Sequence, residues 1–277
     1  MLRRNSFNSG TAGATITVTN SGASGDAFSF VNGSPTYIAE TGTRAPLAAL
    51  VNDPDTVQWQ SLPLSGRELW LRAYVLFAEL PAAEDWFFEL NNIPGSGSPS
   101  PVGRLTVGPS GTIAYRREIT TPILCSVPAA VAAGQWARLE LRVLFGTTTS
   151  TGAVSLWVYR TVEAATTTLQ ASVTAVNTGT TLANEAGFVY VPGYPYTLDD
   201  IAVTDEGKLG AAYPSNPAVV VQQAGTVEQA QPVTRRKLRL LGQPASVEAA
   251  APVRPVKLRT LGQAAEAATA PPITRTC

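Results

Sequence analysis

The 277 residues contain no histidine. That removes the commonest general base, the Ser–His–Asp triad and most zinc sites. Cysteine occurs twice, at Cys125 and Cys277; two thiols make no disulfide framework and read as one buried and one solvent thiol. Charged side chains make up 14% of the chain, against about 25% in an ordinary domain, so Thr, Ser, Asn and Gln must carry solubility. No apolar run approaches the roughly 18 residues of a bilayer-spanning helix, and no membrane partner is expected. MLRRNSFNSG at the start has two arginines but no apolar stretch behind them, so no ordinary signal peptide is expected and synthesis is placed in a cytoplasm. No Phe, Trp or Tyr follows Tyr213.

What is present is β patterning. In 134–161, Leu139, Leu141, Val143 and Phe145 alternate with Arg138, Glu140, Arg142 and Leu144. After a Gly146–Gly152 loop, Val154, Leu156 and Val158 alternate with Ser155, Trp157 and Tyr159. Period-two alternation about a Gly/Thr/Ser loop predicts a long antiparallel hairpin with one buried face. Glu68–Phe77 alternates too, with apolar groups on both faces, and predicts a central strand. Further short strands are expected at 14–19, 27–31, 35–40, 57–59, 86–90, 103–107, 112–116, 122–127, 166–176, 186–191 and 196–205, with 5–12 as a loop and 47–50 ambiguous. A dozen or so strands without a convincing helix predict an all-β, two-sheet antiparallel jelly-roll sandwich over residues 1–212.

Residues 213–277 are different. The first 212 residues carry 12 Lys and Arg against 17 Asp and Glu, a net of −5; the last 65 carry 8 against 3, a net of +5. A 20-residue unit repeats there, at about 223–242, 243–262 and, truncated, 263–277. Pro232, Lys237, Arg239 and Leu241 recur as Pro252, Lys257, Arg259 and Leu261. Each unit is too poor in apolar bulk to build a core alone. Two readings stand: a disordered basic linker, or an extended docking strap whose units each add a weak contact to a neighbouring subunit. Eight basic residues without interleaved aromatics argue against nucleic acid as a partner.

Two resemblances follow from these residues. GQWARLE at 134–140, the VSLWVY strand and the closing LDDIAVTD at 198–205 resemble the concanavalin A-like lectin/glucanase superfamily, over about residues 5–206. That implies curved antiparallel sheets, with glycans bound at a concave face or its rim. The repeat pattern over about 220–277 resembles C-terminal repeats of minor tail proteins of phages that infect actinobacteria. Together they imply a structural virion protein, a minor tail or decoration protein of a tailed phage that leaves its host by lysis. Other virion proteins, and further copies of itself in a closed ring, are its expected partners. The jelly roll is left two roles: contact with host-surface glycan, or plain decoration. A carbohydrate-binding protein outside any virion is the competing reading.

Catalysis is not expected. Glycosidases need two carboxylates flanking a bond; laminarinase-type relatives carry ExDxxE, and the nearest stretch, Glu84–Glu89, is expected to put Glu84 and Glu89 on opposite strand faces. No metal or other cofactor is expected: Asp199-Asp200 read as backbone-bonding residues of the last strand, and Asp53 and Asp55 as a turn, with too few oxygens for calcium. Trp86, Trp157, Tyr190, Tyr194 and Tyr196 are the candidate sugar-facing aromatics, with YVPGYPY at 190–196 the best loop among them.

Overall fold

A computed structural model describes residues 1–40, 44, 46–93 and 98–212. The repeats of 213–277, with all eight docking residues named above, lie outside the described residues. The described residues form fifteen strands: β1 Leu2–Asn5, β2 Phe30–Asn32, β3 Thr36–Ala39, β4 Leu47–Val51, β5 Thr56–Gln60, β6 Glu68–Phe77, β7 Asp85–Asn92, β8 Ser100–Val107, β9 Ile113–Arg116, β10 Cys125–Val127, β11 Trp136–Leu144, β12 Gly152–Tyr159, β13 Leu169–Val176, β14 Glu185–Val189 and β15 Tyr196–Thr204. One 3-10 turn, Ser21–Ser24, is the only helical element among the described residues.

The strands build two antiparallel sheets. One runs β13-β12-β11-β6-β15-β4-β3, with β1 also pairing β15; the other runs β10-β9-β8-β7-β14-β5-β2. Neighbours are mostly distant in sequence, so the chain crosses repeatedly between sheets, as a jelly roll does. The core is the apolar half of each alternation. Leu69, Leu71, Ala73, Val75 and Phe77 of β6 and Leu139, Leu141 and Val143 of β11 meet Phe87, Leu90, Leu105, Ile113 and Phe188 from the other sheet. The expected hairpin is β11–β12, paired Leu141↔Leu156 at its middle. β6 lies fourth of seven along the eight-stranded sheet, and both its faces are covered.

The expectations fail in three places. Residues 14–19 form no strand: Thr15 makes a single bridge to Thr36, and Asn20 Oδ1 then accepts the Thr17 N–H at 2.8 Å, folding the chain into a turn before a ladder can extend. Leu2–Asn5, where no strand was expected and Asn5 was given to a loop, is a strand on β15. Glu84 and Glu89 share a face rather than opposing each other. The register of β7 on β8 slips between Trp86 and Phe88, and a bulge inserts one residue, so alternation is lost there. Phe87 and Phe88 both enter the core, while Glu84 bonds Thr106 and Arg116, and Glu89 bonds Gln58, all on the outward side.

The outward face of the eight-stranded sheet is also covered, by segments 160–167 and 206–212. Arg138 and Glu140 are each 1% exposed and lie 3.0 Å apart. Arg138 donates to Val162 O and Ala164 O, at 2.5 and 2.7 Å. Lys208 donates to the Tyr159 hydroxyl at 2.9 Å and sits 4.1 Å from the Trp157 ring centre. Ala212 N–H donates to the Tyr74 hydroxyl at 2.9 Å. Arg44 pairs with Asp199 at 3.0 Å, with Glu163 at 2.5 Å, and with Asp200. The aspartates expected to bond backbone therefore chiefly hold a buried arginine, although Asp199 Oδ1 also accepts the Asp200 N–H at 2.7 Å.

Candidate functional site

On the outward face of the seven-stranded sheet, three adjacent strands converge on a cavity of about 230 Å³. It is lined by Thr56 of β5, Asp85, Trp86 and Glu89 of β7, Val189 of β14, and Tyr190 and Pro192 just beyond β14. That is below the 300–1,000 Å³ usual for a drug-sized ligand, so it suits one small unit. Two of the expected aromatics, Trp86 and Tyr190, are thus brought together.

Local structure explains the placement. Val191–Tyr194 is a tight turn, with Tyr194 N–H donating to Val191 O at 2.9 Å. Pro192 supplies the fixed φ at its second position, and Gly193 adopts φ 74° at its third. Tyr190 N–H donates to Asp55 O at 2.9 Å, which ties the loop to the start of β5. On the other side, the Arg104 guanidinium lies 4.2 Å from the Trp86 ring centre, a cation–π contact that fixes the indole. Glu89 Oε1 accepts from Gln58 Nε2 at 3.0 Å, and its other oxygen is 4.0 Å from Arg104. Burial raises the Glu89 carboxyl above its ordinary range; Asn91, Arg104 and Gln58 act in the opposite direction. A Cβ at Gly187, which is cross-strand to both Gln58 and Glu89, would run into the Gln58 side chain. The glycine therefore lets the Gln58–Glu89 bond form.

Glu84 is held differently. Arg116 grips it with two bonds, at 2.9 and 2.8 Å, and the Thr106 hydroxyl adds a third at 2.5 Å. The Arg116 bonds are the main reason its carboxyl titrates below the usual range.

The other expected aromatics do different work. Tyr196 is buried, at 1% exposure, so it offers no face to a ligand. Its hydroxyl donates to Val189 O at 2.6 Å and lies 3.0 Å from Phe87 O. It therefore braces the bulge of β7 and the end of β14 from inside, directly behind the cavity. Trp157 lies on the opposite sheet, its ring centre 5.8 Å from that of Trp70 with planes 13° apart, and Lys208 sits against it. Tyr194 is half-buried and packs against the core. Sequence alone did not single out Asp85, Arg104, Gln58 or Thr56, and it weighed Glu89 only as a catalytic carboxylate. The face that Glu89 takes relative to Glu84 becomes readable only once the bulge at Phe87 is known.

Among the described residues no group of three or more His, Cys, Asp or Glu is placed to hold a metal ion, and no helix is long and apolar enough to cross a membrane.

No protein-family model matches the chain, and no curated protein matches it. Solved structures are similar to it in fold. One is the PL-14 alginate lyase of Aplysia kurodai, 12% identical over 73% of this chain and 97% of that one, TM-score 0.46. Another is domain 4 of AbnA, a GH43 extracellular arabinanase from Geobacillus stearothermophilus, in complex with arabinotriose; it is 15% identical over 77% of this chain and 94% of that one, TM-score 0.43. The binding domain of botulinum neurotoxin serotype C1 is 6% identical over 65% of this chain and 44% of that one, TM-score 0.42. What the chain has in common with these proteins is a β-sandwich.

Proposed function

We propose that this protein binds carbohydrate, without turning it over, in the Trp86 cavity. One observation carries the reading: a half-buried indole fixed by Arg104 lines a small cavity together with Asp85, Glu89 and Tyr190. An aromatic surface suits the apolar side of a sugar ring, and carboxylates beside it suit its hydroxyls. Binding without turnover is supported by the carboxylates' existing ties. Glu84 is gripped by Arg116, Glu89 is held by Gln58, and Asp85 Oδ1 accepts the Trp86 N–H at 2.7 Å. The test is a panel of soluble oligosaccharides titrated against the wild type, Trp86→Ala and Trp157→Ala. Binding that Trp86→Ala abolishes and Trp157→Ala leaves supports the site. Indifference to Trp86→Ala, or new reducing ends appearing during incubation, refutes it.

We further infer that the protein works on a virion, as a minor tail or decoration protein whose repeats dock it to other virion subunits. The support is the 20-residue repeat, the charge division at about residue 212 and the resemblance of that repeat to phage tail proteins. Co-sedimentation with particles lacking this protein tests it. If the full chain binds and residues 1–212 do not, the repeats are the docking strap; equal binding assigns assembly to the jelly roll. If neither sediments, a carbohydrate-binding protein outside any virion is the better reading.

A further inference from the structure

A second cavity, of about 500 Å³, lies on the other sheet; Arg4, Ser6, Ser24, Arg72, Asp200 and Leu209 are among its lining residues. Its floor is set by register. Arg4 of β1 pairs with Ala202 of β15, and Ala202 pairs with Arg72 of β6. Directly paired residues share a face, so two arginines flank one alanine in a single row, their Cα atoms two strand spacings or roughly 10 Å apart. Ala202 is 1% exposed and brings no atom beyond its Cβ into the row between them.

The charges there are not balanced by contact. Of the buried arginines on this face, Arg44 has three carboxylates and Arg138 has Glu140. Arg72, only 9% exposed, has none within ion-pairing distance among the described residues. Its Nε donates to Asp200 O at 3.0 Å and its Nη1 reaches Gly210 O at 3.4 Å. Nη2 has no hydrogen-bond partner among the described residues. Asp200 adopts φ 40° beside the register shift of β15 against β6, which turns its carbonyl to Arg72 while its carboxylate meets Arg44. Arg4 is exposed, and the nearby Asp26 carboxylate is engaged by Arg3 at 3.0 Å and by the Arg4 backbone N–H. A buried cation without a counterion is costly, and guanidinium forks are suited to carboxylate and phosphate oxygens.

We propose that this cavity binds a small polar oxyanion, gripped between Arg72 and Arg4 above Ala202. A sugar-borne carboxylate and free phosphate share that chemistry. The site is separate from the Trp86 cavity and stands whether or not that cavity binds sugar.

The experiment titrates the full chain with inorganic phosphate, glucuronate and glucose by calorimetry. It uses the wild type, Arg4→Gln, Ala202→Leu and Trp86→Ala, each checked for folding by circular dichroism. Glucuronate or phosphate is expected to bind at millimolar concentration or better, and glucose is not expected to bind at this site. Arg4→Gln, an exposed change, is expected to weaken binding about tenfold or more by removing charge-assisted bonds. Ala202→Leu is expected to block it with both charges intact, and Trp86→Ala to leave phosphate binding unchanged. Glucuronate binding alone identifies a sugar acid as the source, and phosphate alone identifies the free ion. No binding of either anion overturns the proposal, as does anion binding indifferent to Arg4→Gln or phosphate binding abolished by Trp86→Ala. Should Ala202→Leu fail to fold, Arg4→Gln decides.

Discussion

The Tyr196 hydroxyl lies 2.6 Å from Val189 O and donates to it, linking the last strand to the strand end that forms one wall of the Trp86 cavity. Tyr196→Phe keeps the ring and removes the bond, leaving a buried carbonyl without that donor. The expected cost is about 1–3 kcal/mol in urea unfolding. Sugar affinity should fall only as far as the wall moves. An unchanged unfolding midpoint would show that the hydroxyl is not a brace.

Trp86→Ala carries the opposite expectation. The indole is half-buried, so stability should fall modestly, while oligosaccharide affinity falls by about 2 kcal/mol, roughly thirtyfold, as for a central aromatic contact. Arg104→Gln should give a smaller loss, since it holds the indole and offers no ring of its own. Titration of both variants beside wild type checks the order.

Arg138 and Glu140 are sealed under the 160–167 segment. Arg138→Met leaves Glu140, among the described residues, with only the more distant Lys208 as an ion-pair partner, 3.5 Å away. It also frees Val162 O and Ala164 O from their donor. A loss of about 3–5 kcal/mol is expected, with faster amide exchange at 162–164. Adding Glu140→Leu should recover much of the stability, because the uncompensated charge is then gone.

Asp199 gives a pH signature. Burial pushes its carboxyl up to about 7, although Arg44 lies 3.0 Å away; Arg44 is shared with Asp200 and Glu163, so its pull is divided. In the unfolded chain the same group titrates near 3.9. Between those values the folded state binds the extra proton. Asp199's contribution is therefore fully present below about pH 4 and is lost as pH rises through about 7. Asp199→Asn should flatten that slope in pH-dependent unfolding; an unaltered slope would show that another group sets it.

Cys125 is 5% exposed, and burial raises its thiol to about 11. In a Cys277→Ser variant, thiol reagents at neutral pH should react only at the rate of unfolding. Rapid labelling of the native protein would contradict this burial.

The strands that could be read from sequence were those whose neighbours impose alternation. β6 and the β11–β12 hairpin sit in mid-sheet with an apolar row facing the core, so Leu139, Leu141 and Val143 announce themselves. β1 has no such row: Leu2, Arg3 and Arg4 are held at the edge of β15 by backbone pairing, which is blind to side chain. Trp86 and Tyr190 were singled out because aromatics are conspicuous, and the fold brings both to one cavity. Glu84 and Glu89 were expected on opposite faces because Phe87 and Phe88 look like ordinary alternation, and a bulge has no residue code of its own here. Arg44 meets Asp199 across 155 residues, a pairing no local pattern encodes. Tyr196 could not be told from Tyr190 by type; only the core around it separates them.

The bond from Ala212 N–H to Tyr74 also has a mechanical meaning. Tyr74 stands on β6, in the middle of the sheet, and Lys208 is clamped to the hairpin beside it. Tension applied to the chain beyond residue 212 first meets these clamps, and so enters the sandwich at a mid-sheet strand paired along both edges. An edge strand loaded in the same way would be peeled off one bond at a time.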